Sequence, residues 1–361
     1  MLSIAIVGLP NVGKSTLFNA LTDSNVLAAN YPFATIEPNT GIVPVPDARL
    51  QELSKLYGNA PVKPATVTFI DVAGLVKGAS EGEGLGNQFL SHIRATNTVV
   101  QVVRAFSDSN IVTDEATGQH DPKGDIEIIN TELILADLQT IAKRLPKLEK
   151  EVRANSKLKP EYDLLLSVRE LLDSGQPVWS QPSIDPSPLD GLFLLTAKPI
   201  IYVFNVDENG LANQALQQML AALVAPCSAL FVCAKLEDEL RSLDAVDRTE
   251  LLESYGQEES GLNQLIRAAY DALNLQSYLT AGEKEVRAWT IPKGSTAPQA
   301  AGVIHGDFER GFIAAEIVDY NDLLAASSLQ AARAAGKVRT EGKTYIMGPN
   351  DVVEFRFNVS R

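Results

Sequence analysis

Short apolar runs alternate with amphipathic stretches through much of the chain. The runs with the length and composition of buried strands cover residues 2–7, 67–70, 99–103, 199–204 and 229–233. Helical periodicity is predicted over residues 14–21, 86–95 and 212–223. Strands that alternate with helices indicate a mainly parallel sheet with helices on both faces. The pattern therefore predicts an α/β fold for this part of the chain.

A helical seam interrupts this alternation. Apolar side chains recur there at alternating spacings of four and three residues, at Ile134, Leu138, Ile141, Leu145, Leu148 and Val152. Such spacing is typical of a short coiled-coil contact. Pro146 is predicted to kink this helix, and a return helix is predicted over residues 161–172. The segment 121–196 is therefore predicted to be an α-helical coiled-coil hairpin inserted into the α/β domain.

The pattern changes again from about Tyr278. Residues 286–291 and 351–358 alternate like strands, and a helix-like stretch over residues 297–308 lies between them. These features predict a small α+β module over residues 278–361. The helix predicted over residues 261–273 closes the α/β domain, which then comprises residues 1–120 and 197–277.

The first predicted strand leads into a glycine-containing loop. Residues 8–15 read GLPNVGKS, which matches the phosphate-binding pattern G-x-x-x-x-G-K-S between a strand and a helix. The glycines let successive backbone N–H groups converge on a phosphate, and the helix adds its positive N-terminal end. Lys14 can reach the β- and γ-phosphates, and the Ser15 hydroxyl can ligate Mg²⁺. The motif predicts a nucleoside triphosphate site.

Three further residues fit the γ-phosphate and magnesium side of such a site. The strand over residues 67–70 ends in D-x-x-G, where Asp71 would hold Mg²⁺ through water and the Gly74 N–H would sense the γ-phosphate. Thr35 lies in a proline-containing loop and either closes on Mg²⁺ or packs within the loop. The glycine-rich stretch 77–86 is either a solvated loop or a segment that becomes ordered when nucleotide binds.

Leu75 follows D-x-x-G directly, at the position where Ras-like enzymes carry a glutamine that orients the attacking water. A leucine has no donor or acceptor for that task. Hydrolysis is therefore expected to be slow, or to depend on another group, a cation or a partner.

The residues that would read the base depart from the guanine-specific pattern N-K-x-D. Here Asn205 is followed by Val206, Asp207 and Glu208, so the lysine is absent and the terminal carboxylate is one methylene longer. Guanine offers two adjacent donors, N1–H and N2–H₂, whereas adenine lacks the N2 amino group. Buried polar groups left unpaired by the wrong base cost about 1–3 kcal/mol each. We therefore expect ATP to bind in preference to GTP; a guanine site in which Asp207 shifts register is the alternative.

Charge and composition restrict the partners and the compartment. The net charge of −14 argues against broad non-specific nucleic-acid binding, and no sequence-specific DNA partner is expected. The local exception is a basic run in the predicted hairpin, which is either a solvated face or a contact for ribosomal RNA, at Lys143, Arg144, Lys147, Lys150, Arg153, Lys157 and Lys159. Cys227 and Cys233 form no disulfide framework. No signal peptide and no apolar run of about 20 residues is evident, so the cytoplasm is expected and no membrane partner.

Together, these motifs resemble the Obg-like ATPases, the YchF group of translation-factor-class P-loop NTPases. The resemblance rests on residues 8–15, 30–39 and 71–75, on Asn205 with Glu208, and on residues 287–292 and 297–302 in the C-terminal part. It implies a G domain, an inserted helical hairpin and a C-terminal TGS domain. It also implies a ribosome-associated ATPase, with Mg²⁺ as cofactor and the ribosome, as a large subunit or an assembled 70S-type particle, as partner.

The resemblance and the motifs give one set of expected site residues. Lys14, Thr35, Gly74 and Leu75 are expected to act in catalysis, and Ser15, Thr35 and Asp71 to hold the metal. The residues expected to contact the nucleotide are Asn11, Val12, Gly13, Lys14, Ser15, Thr16, Asn205 and Glu208. Asn11 matches an asparagine that holds K⁺ in cation-dependent relatives, or it braces the loop.

One region departs from the family pattern. Members carry a histidine, proposed to assist catalysis, at a point where this chain has Thr113, and the nearby His120 lies further along. That role is not transferred to His120, for which a solvent-facing loop position is the simpler interpretation. Two function classes stay open: a slow ATPase switch, and a regulatory binding protein whose nucleotide is mainly structural and is turned over negligibly.

Overall fold

The computed structural model describes residues 2–23, 39–72, 85–106 and 121–358. The strands are β1 Ser3–Val7, β2 Thr40–Pro44, β3 Val62–Lys63, β4 Thr66–Asp71, β5 Thr98–Arg104, β6 Ile200–Asn205, β7 Ser228–Val232, β8 Leu275–Ala281, β9 Val286–Pro292, β10 Phe312–Asp319, β11 Arg339–Glu341 and β12 Asp351–Phe357. The α-helices are α1 Lys14–Asp23, α2 Arg49–Leu56, α3 Leu85–Ala95, α4 Pro122–Ala154, α5 Lys159–Asp173, α6 Glu208–Ala212, α7 Gln214–Val224, α8 Ala234–Arg241, α9 Ala245–Ser254, α10 Gly261–Ala272, α11 Ala297–Ile304, α12 Gly306–Arg310, α13 Tyr320–Ala326 and α14 Leu329–Ala334.

The chain divides into two compact units. The first comprises Met1–Val43 and Thr68–Ala269, and the second comprises Pro44–Val67 and Tyr270–Arg361. Residues 44–67, predicted as part of the α/β domain, therefore belong with the C-terminal residues. They carry α2 and the short strand β3, which no sequence pattern indicated. The division into G domain, hairpin and C-terminal module stays a prediction.

The first unit is built on a six-stranded sheet with the order β2-β4-β1-β5-β6-β7. The pairs β1–β4, β1–β5, β5–β6 and β6–β7 are all parallel, as the alternating pattern predicts. All residues of β1, β5 and β6 are buried, which explains why these strands read as continuous apolar runs. Because the strands are parallel, their carboxyl ends meet at one edge of the sheet, where the P-loop follows β1.

The inserted helices form the predicted hairpin. Helix α4 runs through Pro146 without ending there. Its seam residues Ile134, Ile141 and Leu148 are buried against Leu165 and Val168 of α5. Both the seam and the return helix are therefore confirmed. A buried carboxylate of α4, that of Asp137, also accepts hydrogen bonds from the main chain just before β6.

The Asp137 side chain is fully buried. It accepts hydrogen bonds from Leu195 N and Thr196 N, both at 2.8 Å, and from Thr196 Oγ1 at 2.7 Å. Burial raises the pKa of Asp137, and the three hydrogen bonds oppose that shift. The contact fixes the long helix to the residues that lead into the sheet.

Side-chain caps set the bounds of two predicted helices. The helix predicted over residues 212–223 is confirmed as α7, which starts two residues later because Asn213 leaves the helical conformation and accepts a hydrogen bond from Leu216 N at 3.1 Å. The stretch predicted over residues 297–308 is interrupted at His305, which caps α12. A periodicity count does not detect such side-chain caps, because the apolar spacing continues across them.

The second unit is an α+β module, as predicted for the C-terminal part. Its six-stranded sheet has the order β11-β10-β12-β8-β9-β3. Helix α11 covers one face, where Ala297, Ala300 and Ala301 pack on Tyr278. The alternation of β12 is also confirmed, since Phe355 packs against this core. Within the described ranges, no helix combines the length and hydropathy that a bilayer span requires.

Candidate functional site

The P-loop is held in shape from behind by a buried asparagine. Gly13 has a φ of +87°, and a Cβ at this position would lie 2.2 Å from the Nδ2 of Asn205. That Nδ2 donates to the carbonyl oxygen of Val12 at 3.0 Å. Glycine is therefore required at position 13 both for its backbone conformation and for this close approach.

Asn205 also links the P-loop to the segment after β7. Its Oδ1 accepts a hydrogen bond from the Ala234 N–H at 3.1 Å, and the residue is only 6% exposed. Both ends of the side-chain amide are thus engaged by main-chain atoms of two separate loops. The first residue of the altered base-reading motif is a brace for the site; a direct contact between Asn205 and nucleotide stays a prediction.

Lys14 and Asp71 are brought together at the carboxyl edge of the sheet. Strands β1 and β4 are neighbours, with Ile6 opposite Asp71, so the carboxylate lies beside the start of α1. The Lys14 ammonium and the Asp71 carboxylate form an ion pair, with side chains 10% and 17% exposed. The structure therefore places the predicted phosphate-binding cation next to the predicted metal-binding carboxylate.

The other P-loop residues lie as the motif requires. Asn11 is exposed and adopts a left-handed conformation, with φ of +64°. Asparagine is among the few non-glycine residues that tolerate it. Ser15 and Thr16 are exposed at the start of α1, whereas the Val12 side chain is buried in the core. Val12 can therefore meet a nucleotide only through its backbone.

A cavity of about 640 Å³ opens from this loop. Its described lining residues are Asn11, Gly13, Thr16, Phe106, Asn205, Val206, Asp207, Glu208, Cys233, Ala234, Lys235, Asp238 and Glu239. The volume falls within the range usual for small-molecule sites. The cavity joins the P-loop to the altered base-reading motif, so five of the residues predicted to contact nucleotide face one space.

Glu208, which lines the cavity, carries an ion pair. Its Oε1 accepts from the Lys235 ammonium at 2.8 Å. This hydrogen bond lowers the pKa of Glu208 and raises that of Lys235, so both groups are charged at neutral pH. The Glu208 side chain is 31% exposed and faces the cavity.

The two residues before Glu208, Val206 and Asp207, each have a structural role in the fold. Asp207 caps α6 by accepting from the Gly210 N–H at 2.8 Å. Val206 is 2% exposed and packs in the main core. A register shift that brought Asp207 into the base-reading position would break the cap and move Val206 out of the core. The geometry thus disfavours the alternative in which Asp207 reads guanine.

Some predicted residues lie outside the described ranges. They are Thr35, Gly74 and Leu75, together with Thr113 and His120. Their expected roles stay predictions.

The sequence interpretation missed Lys235 as part of the site. Lys235 is the second residue of α8, just past the end of β7, and Asn205 ends the adjacent strand β6. Parallel strands bring their carboxyl ends together. That position was the available signal. Phe106, which follows β5 in the same way, was missed for the same reason.

The basic run of the hairpin is only partly neutralised. Arg144 pairs with Glu151 and Glu161, Arg153 pairs with Glu149, and Lys159 pairs with Asp163. Four exposed lysines of the run have no acidic partner within 4.0 Å in the described part of the chain: Lys143, Lys147, Lys150 and Lys157. The basic run therefore presents a local excess of positive charge on an otherwise acidic protein.

Two family models match the chain. YchF-GTPase_C, described as "Protein of unknown function (DUF933)", matches residues 275–358. MMR_HSR1, described as "50S ribosome-binding GTPase", matches residues 3–129. The matches cover the C-terminal module and the first part of the predicted G domain.

Relatives of the same length are also similar throughout. The Ribosome-binding ATPase YchF of Bacillus subtilis (strain 168) is 49% identical over 366 residues, covering 99% of this chain and 100% of that protein. The protein of the same name from Escherichia coli O157:H7 is 47% identical over 359 residues, covering 98% of each. The solved structure of the Schizosaccharomyces pombe YchF GTPase has a TM-score of 0.86 at 40% identity, covering 98% of this chain and 97% of that chain. The predicted fold class and resemblance are confirmed, and the chain belongs to the YchF family.

Proposed function

We propose that this protein is a ribosome-binding ATPase that acts as a slow, nucleotide-dependent switch in the cytoplasm. The observation that carries the proposal is the cavity that joins the P-loop to the Glu208–Lys235 pair. The names of the Bacillus subtilis and Escherichia coli relatives support ATP hydrolysis and ribosome binding. The Schizosaccharomyces pombe relative is described as a GTPase, so the test compares ATP with GTP.

The phosphates are proposed to lie along the P-loop. Backbone N–H groups of residues 11–16 and the N-terminal end of α1 would cradle them, with Lys14 on the β- and γ-phosphates. Lys14 would exchange its contact with Asp71 for the phosphates. Substitution of Lys14 then removes the charge that the transferred phosphoryl group requires.

Mg²⁺ is proposed to be held by Ser15 and Asp71, with Thr35 as a further ligand. In the described ranges, no group of three or more His, Cys, Asp or Glu side chains could hold a metal by itself. A hydroxyl and a single carboxylate fit Mg²⁺ instead, because this ion usually retains waters and takes phosphate oxygens as ligands. When bound, Mg²⁺ would neutralise charge on the β- and γ-phosphates. Asn11 is the proposed K⁺ ligand.

The hairpin and the C-terminal module, proposed to be a TGS domain, are the candidate ribosome contacts. The four unpaired lysines of the hairpin support contact with the phosphate backbone of ribosomal RNA. ATP and ADP states that differ in ribosome affinity would make the nucleotide a switch. Leu75 fits slow turnover, since it cannot orient water.

The test is nucleotide hydrolysis by the full chain. Phosphate release from ATP and from GTP is measured in KCl and in NaCl at equal ionic strength, with and without 70S ribosomes. We expect ATP hydrolysis to exceed GTP hydrolysis and Lys14→Ala to abolish it. Lys123→Ala is the matched control, because Lys123 is 67% exposed and lies on the hairpin.

Two results would overturn the proposal. Activity that survives Lys14→Ala would assign the hydrolysis to something other than the P-loop. No turnover under any condition, with ribosome binding intact, would support the binding protein whose nucleotide is structural.

A further inference from the structure

Lys235 is the one basic side chain among the described residues that line the nucleotide cavity. We propose that Lys235 is a specificity-determining residue, which excludes guanine by occupying one oxygen of the Glu208 carboxylate. The inference rests on the proposed function, because it assumes that the base of a nucleoside triphosphate lies against Glu208.

The backbone fixes both partners of this ion pair. Asp207 caps α6, which places Glu208 at the first position of that helix. The Ala234 N–H is held by Asn205, and Leu236 is buried at 2% exposure, so the backbone on both sides of Lys235 is anchored. The Lys235 side chain itself is 72% exposed and lies along the cavity wall. The pair therefore joins two anchored segments of backbone, and only the side chains of Glu208 and Lys235 must move to form or break it.

The contact changes what the carboxylate can recognise. An ionised carboxylate accepts through both oxygens, so it can pair with two parallel donors. Guanine presents such a pair at N1–H and N2–H₂. Oε1 accepts from Lys235 at 2.8 Å, and the ammonium beside it repels a second donor that approaches the same oxygen, so Oε2 is the oxygen free for a base. One free oxygen suffices for the exocyclic amine of adenine, whereas the second donor of guanine would have to share Oε1 with the ammonium.

A guanine base that used Lys235 as well would still be incompletely paired. Its O6 could accept from the ammonium and its N1–H could donate to Oε2, but N2–H₂ would then have to share Oε1 with the Lys235 ammonium. A polar group of the base that is buried without a full hydrogen-bond partner costs free energy. The ion pair thus acts against guanine in either orientation.

The cavity also contains acidic side chains, and their charge affects the binding of both ATP and GTP. Asp207 is used by the helix cap, Asp238 pairs with Arg241 at 2.8 Å, and Glu239 adds to the raised pKa of Lys235. Removal of Lys235 therefore makes the cavity more negative and weakens the binding of every nucleoside triphosphate. The ratio of GTP to ATP dissociation constants cancels this common effect, because both ligands carry the same phosphates.

The experiment measures ATP and GTP dissociation constants by titration in Mg²⁺ for the full chain and three variants. Lys235→Met keeps the length of the side chain and removes the charge, and we expect the ratio of the GTP constant to the ATP constant to fall about tenfold, equivalent to about 1.4 kcal/mol. Lys235→Arg retains a cationic donor and should keep a high ratio. The control Lys159→Met breaks a hairpin ion pair of similar exposure, with Asp163, and should leave the ratio at its wild-type value.

Each outcome has one meaning. A Lys235→Met ratio equal to that of a wild type that prefers ATP overturns the role of Lys235 and leaves the proposed function intact. A wild type that binds GTP more tightly overturns the proposed function itself. Thermal unfolding of each variant identifies any misfolded protein, and Lys235→Gln, which also lacks the charge, then repeats the test.

Discussion

Replacement of Asn205 by alanine should destabilise the first unit and loosen the P-loop. The side chain makes two hydrogen bonds, to Val12 O at 3.0 Å and from Ala234 N at 3.1 Å. The residues at both ends are buried, with Val12 2% and Ala234 4% exposed. Each of the two buried groups left unsatisfied costs about 1–3 kcal/mol, so we expect the free energy of unfolding to fall by about 2–6 kcal/mol. Because Gly13 packs on Asn205, ATP should also bind more weakly.

The assay is urea unfolding followed by tryptophan fluorescence. The chain has two tryptophans, Trp179 in the first unit and Trp289 in the second. In a Trp289→Phe background, the signal therefore reports the unit that carries the site. Asn213→Ala is the matched control, because Asn213 is an exposed helix cap. Its loss should cost about 1 kcal/mol.

A loss of stability for Asn205→Ala no larger than that for Asn213→Ala would contradict the two buried hydrogen bonds as the cause. An Asn205→Ala variant that is destabilised as expected but binds ATP with unchanged affinity would contradict the link to the P-loop. In that second case the asparagine would support the fold without shaping the P-loop.

Three further predictions concern the first unit. Asp137→Asn should lower the free energy of unfolding by about 2–4 kcal/mol in urea, because an amide cannot accept from all three donors at Leu195 and Thr196; a loss below about 0.5 kcal/mol would contradict this. Burial raises the pKa of Glu237 from 4.5 to about 7, so the native state keeps a proton that the unfolded chain has lost. Unfolding free energy should therefore fall by roughly 3 kcal/mol from pH 4.5 to 7, and Glu237→Gln should flatten that dependence. Lys147→Glu with Lys150→Glu should weaken ribosome cosedimentation and its salt dependence; unchanged salt dependence would argue against RNA contact.

The part of the fold that sequence predicted rests on local patterns. Continuous apolar runs gave β1, β5 and β6 because these strands are buried on both faces. The heptad-like spacing indicated the hairpin because its seam is buried, and Ile141 and Leu165 belong to the same core. In such elements each residue's environment follows from its neighbours in the chain.

The features that sequence did not reveal depend on residues far apart in the chain. Residues 44–67 join the second unit through pairing of β3 with β9. A strand of two residues is too short to be predicted from its sequence pattern. The Glu208–Lys235 contact and the Asp137 hydrogen bonds likewise become visible only once the sheet order is known. For the site, the motifs gave Lys14 and Asp71, whereas the brace role of Asn205 required the geometry.

A competition between ATP and GTP for the wild-type protein in Mg²⁺ measures directly which base the site prefers. One nucleotide is labelled and the other is added as competitor. Because both bind the same site, the titration gives the ratio of the GTP and ATP dissociation constants. We expect ATP to displace labelled GTP at a lower concentration than GTP needs to displace labelled ATP. Equal displacement by both nucleotides, or tighter binding of GTP, would contradict it.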